Sequence, residues 1–238
     1  MTTANPDLHE DDAMPLVEHL REFRHRLVVS LIALAVTTFL CFPFAERALV
    51  ILITPLNKKP QVLAPTDAIV QYFKVAIIGG IALAMPIILY QVVAFLLPAL
   101  TRREKRLLFI FLPTGTFFFV AGILFAIFVA LPISLAFLQQ FGQDFAEIQY
   151  KLDSYVSFVT TMLLALGVAF QTPLVIFFVA KLGIVSYPTL KKNTRWAFLI
   201  TAIVAAVITP TPDPFTMLIV MFPLFLLYLL GVLFARFA

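Results

Sequence analysis

Six runs of this sequence contain no Asp, Glu, Lys or Arg: Leu27–Ala45, Val75–Thr101, Leu107–Gln143, Ser154–Ala180, Trp196–Pro212 and Pro214–Ala235. A helix needs roughly 20 apolar residues to cross a bilayer, and it satisfies its own backbone N–H and C=O groups while doing so. The chain is 62% hydrophobic and 13% charged, with 26 Phe. A water-soluble domain is about a quarter charged. The expectation is therefore an all-α, polytopic membrane protein with six transmembrane helices and no soluble domain. Residues 1–238 form one domain, with 1–16 an acidic mobile tail and 17–26 an amphipathic interfacial helix leading into span 1.

The charges that remain fix an orientation. One set of helix ends holds Arg21, Arg24, Arg26, Arg102, Arg103, Lys105, Arg106, Lys181, Lys191, Lys192, Arg195 and Arg236; the other holds Arg47, Lys58, Lys59 and Lys151. The positive-inside rule then places both termini in the cytoplasm. The excess of base is a topology signal and calls for no nucleic-acid partner. The first twenty residues carry Asp7, Glu10, Asp11, Asp12 and Glu18 but no Lys or Arg, the reverse of a secretory n-region. The single Cys41 excludes an intrachain disulfide and a multi-cysteine metal site, and reads as a small apolar filler.

Along the chain, Glu46–Asp67 reads as an external loop with Pro55, Pro60 and Pro65, and span 2 covers about Ala68–Leu97. A basic cytoplasmic loop follows, then span 3 at about Leu107–Leu138, long enough to tilt or protrude. Span 4 covers about Ser154–Ala180. The fifth and sixth spans are expected to be short. Trp196–Thr209 offers about fourteen residues before Pro210, roughly 21 Å against a hydrocarbon core of about 30 Å. The last helix, about Pro214–Phe234, follows the tight turn "PTPDP". Pro86, Pro113, Pro132, Pro173 and Pro223 lie within spans, where each removes a helical hydrogen bond and favours a kink. Together they suggest bent helices enclosing a concave, cupped bundle; separate kinks without a shared purpose are the plainer reading.

Catalytic signatures are missing. There is no HExxH, GxSxG, Walker or dinucleotide-binding motif. His9, His19 and His25 all precede the first span, and no set of haem or metal ligands exists. No enzyme activity and no cofactor are expected. Polar groups at membrane depth are few and so carry information. Lys74 either snorkels to the outer interface or pairs with Asp67 or Asp213. Gln171, in "GVAFQTPLV" beside Pro173, makes a helix–helix hydrogen bond or offers a docking point for a partner helix; Thr209, at the end of the short span, is grouped with it. Asp213 reads as a cap in the outer turn.

Two basic clusters each surround one acid: Glu22 in "MPLVEHLREFRHRL" (Met14–Leu27) and Glu104 in "ALTRREKRLLF" (Ala99–Phe109). Taken alone, Glu104 pairs within its loop with Arg103 or Arg106, or it takes an external cation. These segments resemble the TatC family of the twin-arginine protein translocase. So do "PIILYQVVAFLLPALTRREKR" (Pro86–Arg106), "YVSFVTTMLLALGVAFQTPLV" (Tyr155–Val175) and "ITPTPDPFTMLIVMFPLFLLY" (Ile208–Tyr228). The resemblance spans about Met14 to Arg236. It departs at Phe23, where the family usually has Leu. It departs again in "APTDAIV", which supplies Asp67 but lacks the family's Phe, and at Gln171, where Glu is frequent.

The resemblance implies a receptor. TatC-like proteins bind the twin-arginine signal peptides of folded cargo and work with TatB-like and TatA-like single-span partners and further copies of themselves. They draw on the proton-motive force in the cytoplasmic (inner) membrane. It implies Glu22, Glu104, Phe95 and Arg24 as signal-peptide-binding residues, Gln171, Pro173 and Thr209 as partner-helix positions, and Asp67, Asp213 and Lys74 as structural residues of the external side. A carboxylate matches the planar guanidinium fork, which Lys lacks. The competing readings are a secondary transporter, which would need titratable groups at mid-membrane, and a membrane assembly scaffold, in which Glu22 and Glu104 would be dispensable.

Overall fold

The computed structural model describes residues 16–56, 59–96, 108–142, 149–209 and 213–237. Glu104, with its basic loop, and residues 1–15 lie outside them. Among the described residues the regular structure is all helical, with one isolated bridge between Gln61 and Lys151 in the connecting segments.

Helix α1 (Leu16–Cys41) runs unbroken through Arg26 and Leu27, so the expected interfacial helix and span 1 are a single helix. The break comes later. Pro43 has no N–H to give to the preceding turn, and the chain tightens into a 3-10 turn at Phe42–Phe44 before resuming as α2 (Ala45–Ile53). The Phe42 carbonyl accepts from the Tyr72 hydroxyl at 2.5 Å, and the Leu52 carbonyl near the end of α2 accepts from Tyr155 at 2.8 Å. Expecting a loop from Glu46 was thus too early. Glu46 and Arg47 end the uncharged run but do not end the helix.

Helix α3 (Asp67–Leu96) is span 2. Span 3 is α4 (Leu108–Phe125), a π turn at Ala126–Ala130 and α5 (Leu131–Gly142). The wide turn falls just before Pro132, which can neither donate nor sit close over the preceding turn. Span 4 breaks in two, α6 (Leu152–Ala169) and α7 (Thr172–Lys181). Pro173 cannot bond the Ala169 carbonyl; the Thr172 hydroxyl does so at 2.6 Å. Two residues past the end of α7 lies Gly183, the only described residue with positive φ (+72°). There the Ile184 and Gly183 amides close onto the Val179 and Ala180 carbonyls, a Schellman stop that glycine permits. A short helix α8 (Tyr187–Lys192) precedes α9 (Thr194–Ile208) and α10 (Pro214–Ala235).

Five apolar helical stretches are long enough to cross a membrane: Val17–Ile53, Asp67–Phe95, Phe111–Gln140, Leu152–Lys181 and Pro214–Ala235. The fifth span, α9, is short as expected, with 15 residues. The sixth is not. Helix α10 has 22 residues, and at 1.5 Å each reaches about 33 Å. Its internal Pro223 does not shorten it.

Helix α6 is the axis of the bundle. Val156, Val159, Met162 and Leu166 are fully buried, packed with Ala126 and Ala130 of the π turn, Ala205 of α9 and Val220 of α10. Helix α1 lies at the edge, against α3. The two approach closely at Gly80, where any Cβ would sit 2.6 Å from the Thr38 Cα. The Thr37 hydroxyl donates to the Gly80 carbonyl at 2.9 Å across the same contact. On the side away from the basic helix ends, the loop before α3 is tied to the start of α6. Gln61 N–H donates to the Tyr150 carbonyl and Leu152 N–H to the Gln61 carbonyl, both at 2.8 Å.

Candidate functional site

The close packing of α1 on α3 brings the start of one against the end of the other. Glu22 and Arg26 are one turn apart on α1, the spacing and order that favour an acid–base pair on a helix. Arg26 donates to the same Glu22 oxygen, Oε1, through Nε at 2.9 Å and Nη2 at 2.6 Å. Its Nη1 reaches the Gln91 Oε1 of α3 at 3.3 Å. Both charged side chains are mostly covered, at 21% and 23% exposure. Glu22 Oε2 is buried and has no hydrogen-bond partner among the described residues.

Aromatic rings flank this pair. Phe95, one turn beyond Gln91, stacks with His19 at 4.4 Å between ring centroids and meets the edge of Phe23 at 5.5 Å. A groove of about 210 Å³ runs between Phe23, Arg26, Ser30, Gln91, Val92 and Phe95. Of the expected binding residues, the structure therefore brings Glu22 and Phe95 together. Arg24 is not with them. It lies two residues from Glu22, on the far side of α1, exposed and lining a wider cleft of about 790 Å³ with Arg21 and His25. Glu104 lies outside the described residues. The sequence reading passed over Arg26, Gln91 and His19. The i,i+4 spacing marked Arg26, and Gln91 was one of the few polar residues in its run.

The expected partner-helix positions point inward. Gln171 is 6% exposed and donates through Nε2 to the Gly115 carbonyl of α4 at 2.9 Å. Pro173 is buried under α10, where a Cβ on Gly231 would meet the Pro173 Cα at 3.1 Å. Thr209 is 7% exposed and bonds back to the Ala205 carbonyl at 3.0 Å, closing the end of α9. Gln171 thus bonds span 4 to span 3 and Pro173 packs span 4 on α10, whereas Thr209 finishes its own helix, because an amide or hydroxyl in an apolar bundle takes a nearby carbonyl.

On the far side, Lys74 pairs with neither Asp67 nor Asp213. Its Nζ donates to the Ser157 hydroxyl at 2.7 Å and lies 3.9 Å from Asp153 Oδ1. That same oxygen accepts from the fully buried Gln71 at 2.9 Å, and Lys151 approaches Asp153 Oδ2 at 3.9 Å. Asp67 instead accepts from the Ala64 amide at 3.1 Å, ordering the loop before its own helix. Asp213 caps α10, accepting from the Thr216 amide at 2.6 Å. Among the described residues no group of three or more His, Cys, Asp or Glu is arranged to hold a metal.

Five membrane-length helices, one shorter apolar helix and charged side chains gathered at the helix ends define a polytopic helical membrane protein. Residues 18–223 match the family model of the Sec-independent protein translocase protein TatC. The TatC of Carboxydothermus hydrogenoformans is 36% identical over 231 residues, covering 96% of this chain and 95% of the relative. The TatC of Aquifex aeolicus is 35% identical, covering 94% and 96%. A crystal structure of a twin-arginine translocase receptor, TatC, superposes with a TM-score of 0.82 at 33% identity, over 92% of this chain and 98% of that one. The chain belongs to the TatC family of Sec-independent protein translocase proteins, a family of transport components and not of enzymes. The resemblance read from the sequence and the comparisons name the same family.

Proposed function

We propose that this protein is the receptor subunit of a twin-arginine translocase, holding the paired arginines of a signal peptide at Glu22 and Glu104 with Phe95 beside them. The observation that carries the proposal is Glu22 itself. It is a largely covered carboxylate among bases, with one oxygen bonded from within and the other buried without a partner among the described residues. An acceptor in that state gains from a charged donor, about 1.5–3 kcal/mol for such a bond. A freely exposed pair would give about 0–1 kcal/mol.

The basic helix ends face the cytoplasm in this reading, both termini with them, and cargo leaves across the inner membrane under the proton-motive force. TatB-like and TatA-like single-span helices, and further copies of this chain, complete the complex. Support for a partner comes from α9, which leaves hydrocarbon unmatched and exposes Ile200, Ile203 and Val207 along its length. Glu22→Ala and Glu104→Ala are each expected to weaken binding of a twin-arginine peptide to the intact, folded protein. Wild-type affinity in both variants contradicts the proposal.

A further inference from the structure

The geometry points to Arg26 as an internal stand-in for the arginine of the cargo. In the unladen receptor it occupies Glu22, and an incoming guanidinium must exchange with it. Arg26 is thereby a residue that sets the preference for Arg over Lys. This rests on the reading of Glu22 as a signal-peptide site.

Three observations carry the inference. Arg26 places two N–H groups on Glu22 Oε1, so the half of the carboxylate that is bonded is already bonded to a guanidinium. Glu22 Oε2 is sealed from solvent and unpartnered among the described residues, so that oxygen offers no hydrated face on which a cation can settle before anything moves. Gln91 Oε1, on the neighbouring helix, already stands 3.3 Å from Arg26 Nη1. It gives the displaced guanidinium a neutral acceptor to keep. An ordinary exposed pair one turn apart leaves both oxygens to water and has no second acceptor on another helix.

The consequence is selectivity by competition. A guanidinium that replaces Arg26 can restore two parallel bonds to the carboxylate. A lysine ammonium brings the same charge as a point donor without the planar fork. It therefore gives back less than it displaces. Without Arg26 there is nothing to displace, and charge alone suffices for either cation.

The test uses full-length protein in lipid nanodiscs, with a fluorescent twin-arginine signal peptide and its twin-lysine counterpart as probes. Arg26→Gln is expected to tighten binding of the lysine peptide about 3- to 10-fold, the scale of one ordinary net hydrogen bond. The arginine peptide changes less, so the arginine-to-lysine affinity ratio falls. Gln91→Glu conserves size, strengthens the second acceptor and draws Arg26 toward α3; the ratio is expected to fall here too. It decides the question alone if Arg26→Gln does not fold. Glu22→Gln tests the underlying reading, and wild-type binding of the arginine peptide to that variant overturns the receptor site itself. If Glu22→Gln loses binding while both other variants keep the wild-type ratio, or weaken both peptides equally, Arg26 is a helix-surface ion pair and the inference is wrong.

Discussion

Lengthening α9 separates the mechanical part of this protein from its binding part. The helix has 15 residues, Thr194–Ile208, and so reaches about 22 Å against a hydrocarbon core of about 30 Å. About 8 Å is left unmatched. Inserting Ala-Leu-Val-Leu after Val204 adds about 6 Å and roughly one turn. The inserted Ala takes the height of Ala205, which is fully buried. Mismatch costs a fraction of a kcal/mol per Å, so the insertion relieves on the order of 1–3 kcal/mol of bilayer deformation. The longer helix is expected to insert stably. Glu22 and Phe95 stand on α1 and α3, so signal-peptide binding is expected to persist while export fails. The assay pairs peptide binding by purified protein with export of a twin-arginine reporter in cells lacking their own TatC. Normal export by a stably inserted variant refutes the idea that a short span thins the bilayer or seats a partner.

Perturbations at three other positions follow from the packing. Gly80→Ala puts a Cβ 2.6 Å from the Thr38 Cα, and overpacking of this kind costs about 1–3 kcal/mol; a lowered thermal midpoint together with weakened peptide binding is expected, since the same contact holds α1 against α3. Gln171→Leu removes one bond across spans, a loss of about 0.6 kcal/mol on average in membrane bundles, and Gln171→Glu can donate to Gly115 only while protonated, so its stability is expected to fall as pH rises; denaturant unfolding in detergent measures both. Asp153→Asn removes the charge opposite Lys74 and Lys151, which are 35% and 39% exposed, so a loss within about 1 kcal/mol is expected, and a loss of several kcal/mol would show that the pair is more shielded than this geometry allows.

Much of the architecture was legible because hydrocarbon makes simple demands. Uncharged runs located α4–α5, α6–α7, α9 and α10 to within a few residues, whereas the run from Val75 begins eight residues into α3, past Lys74. The rule misjudged the end of span 1, since Glu46 and Arg47 are tolerated in a helix that continues as α2. The charge count could not see Pro43 as the true break. The site was half legible. An acid among bases picked out Glu22, and helical spacing joins it to Arg26, but Gln91 is 65 residues away from Arg26 and only packing brings it there. Lys74 shows the same limit. Its partners Asp153 and Ser157 belong to a helix two spans on, whereas Asp67 was merely near in sequence. Gln171 looked available because it is polar in an apolar run; the structure spends its amide on Gly115, a carbonyl no local pattern identifies.

The most direct test of the receptor account is photo-crosslinking of a twin-arginine signal peptide to probes placed singly at positions 22, 95 and 104 of the full-length protein in membranes. The account predicts crosslinks at all three, lost when the peptide's arginine pair is replaced by lysines. Crosslinks absent from these positions, or unchanged by that replacement, would contradict it.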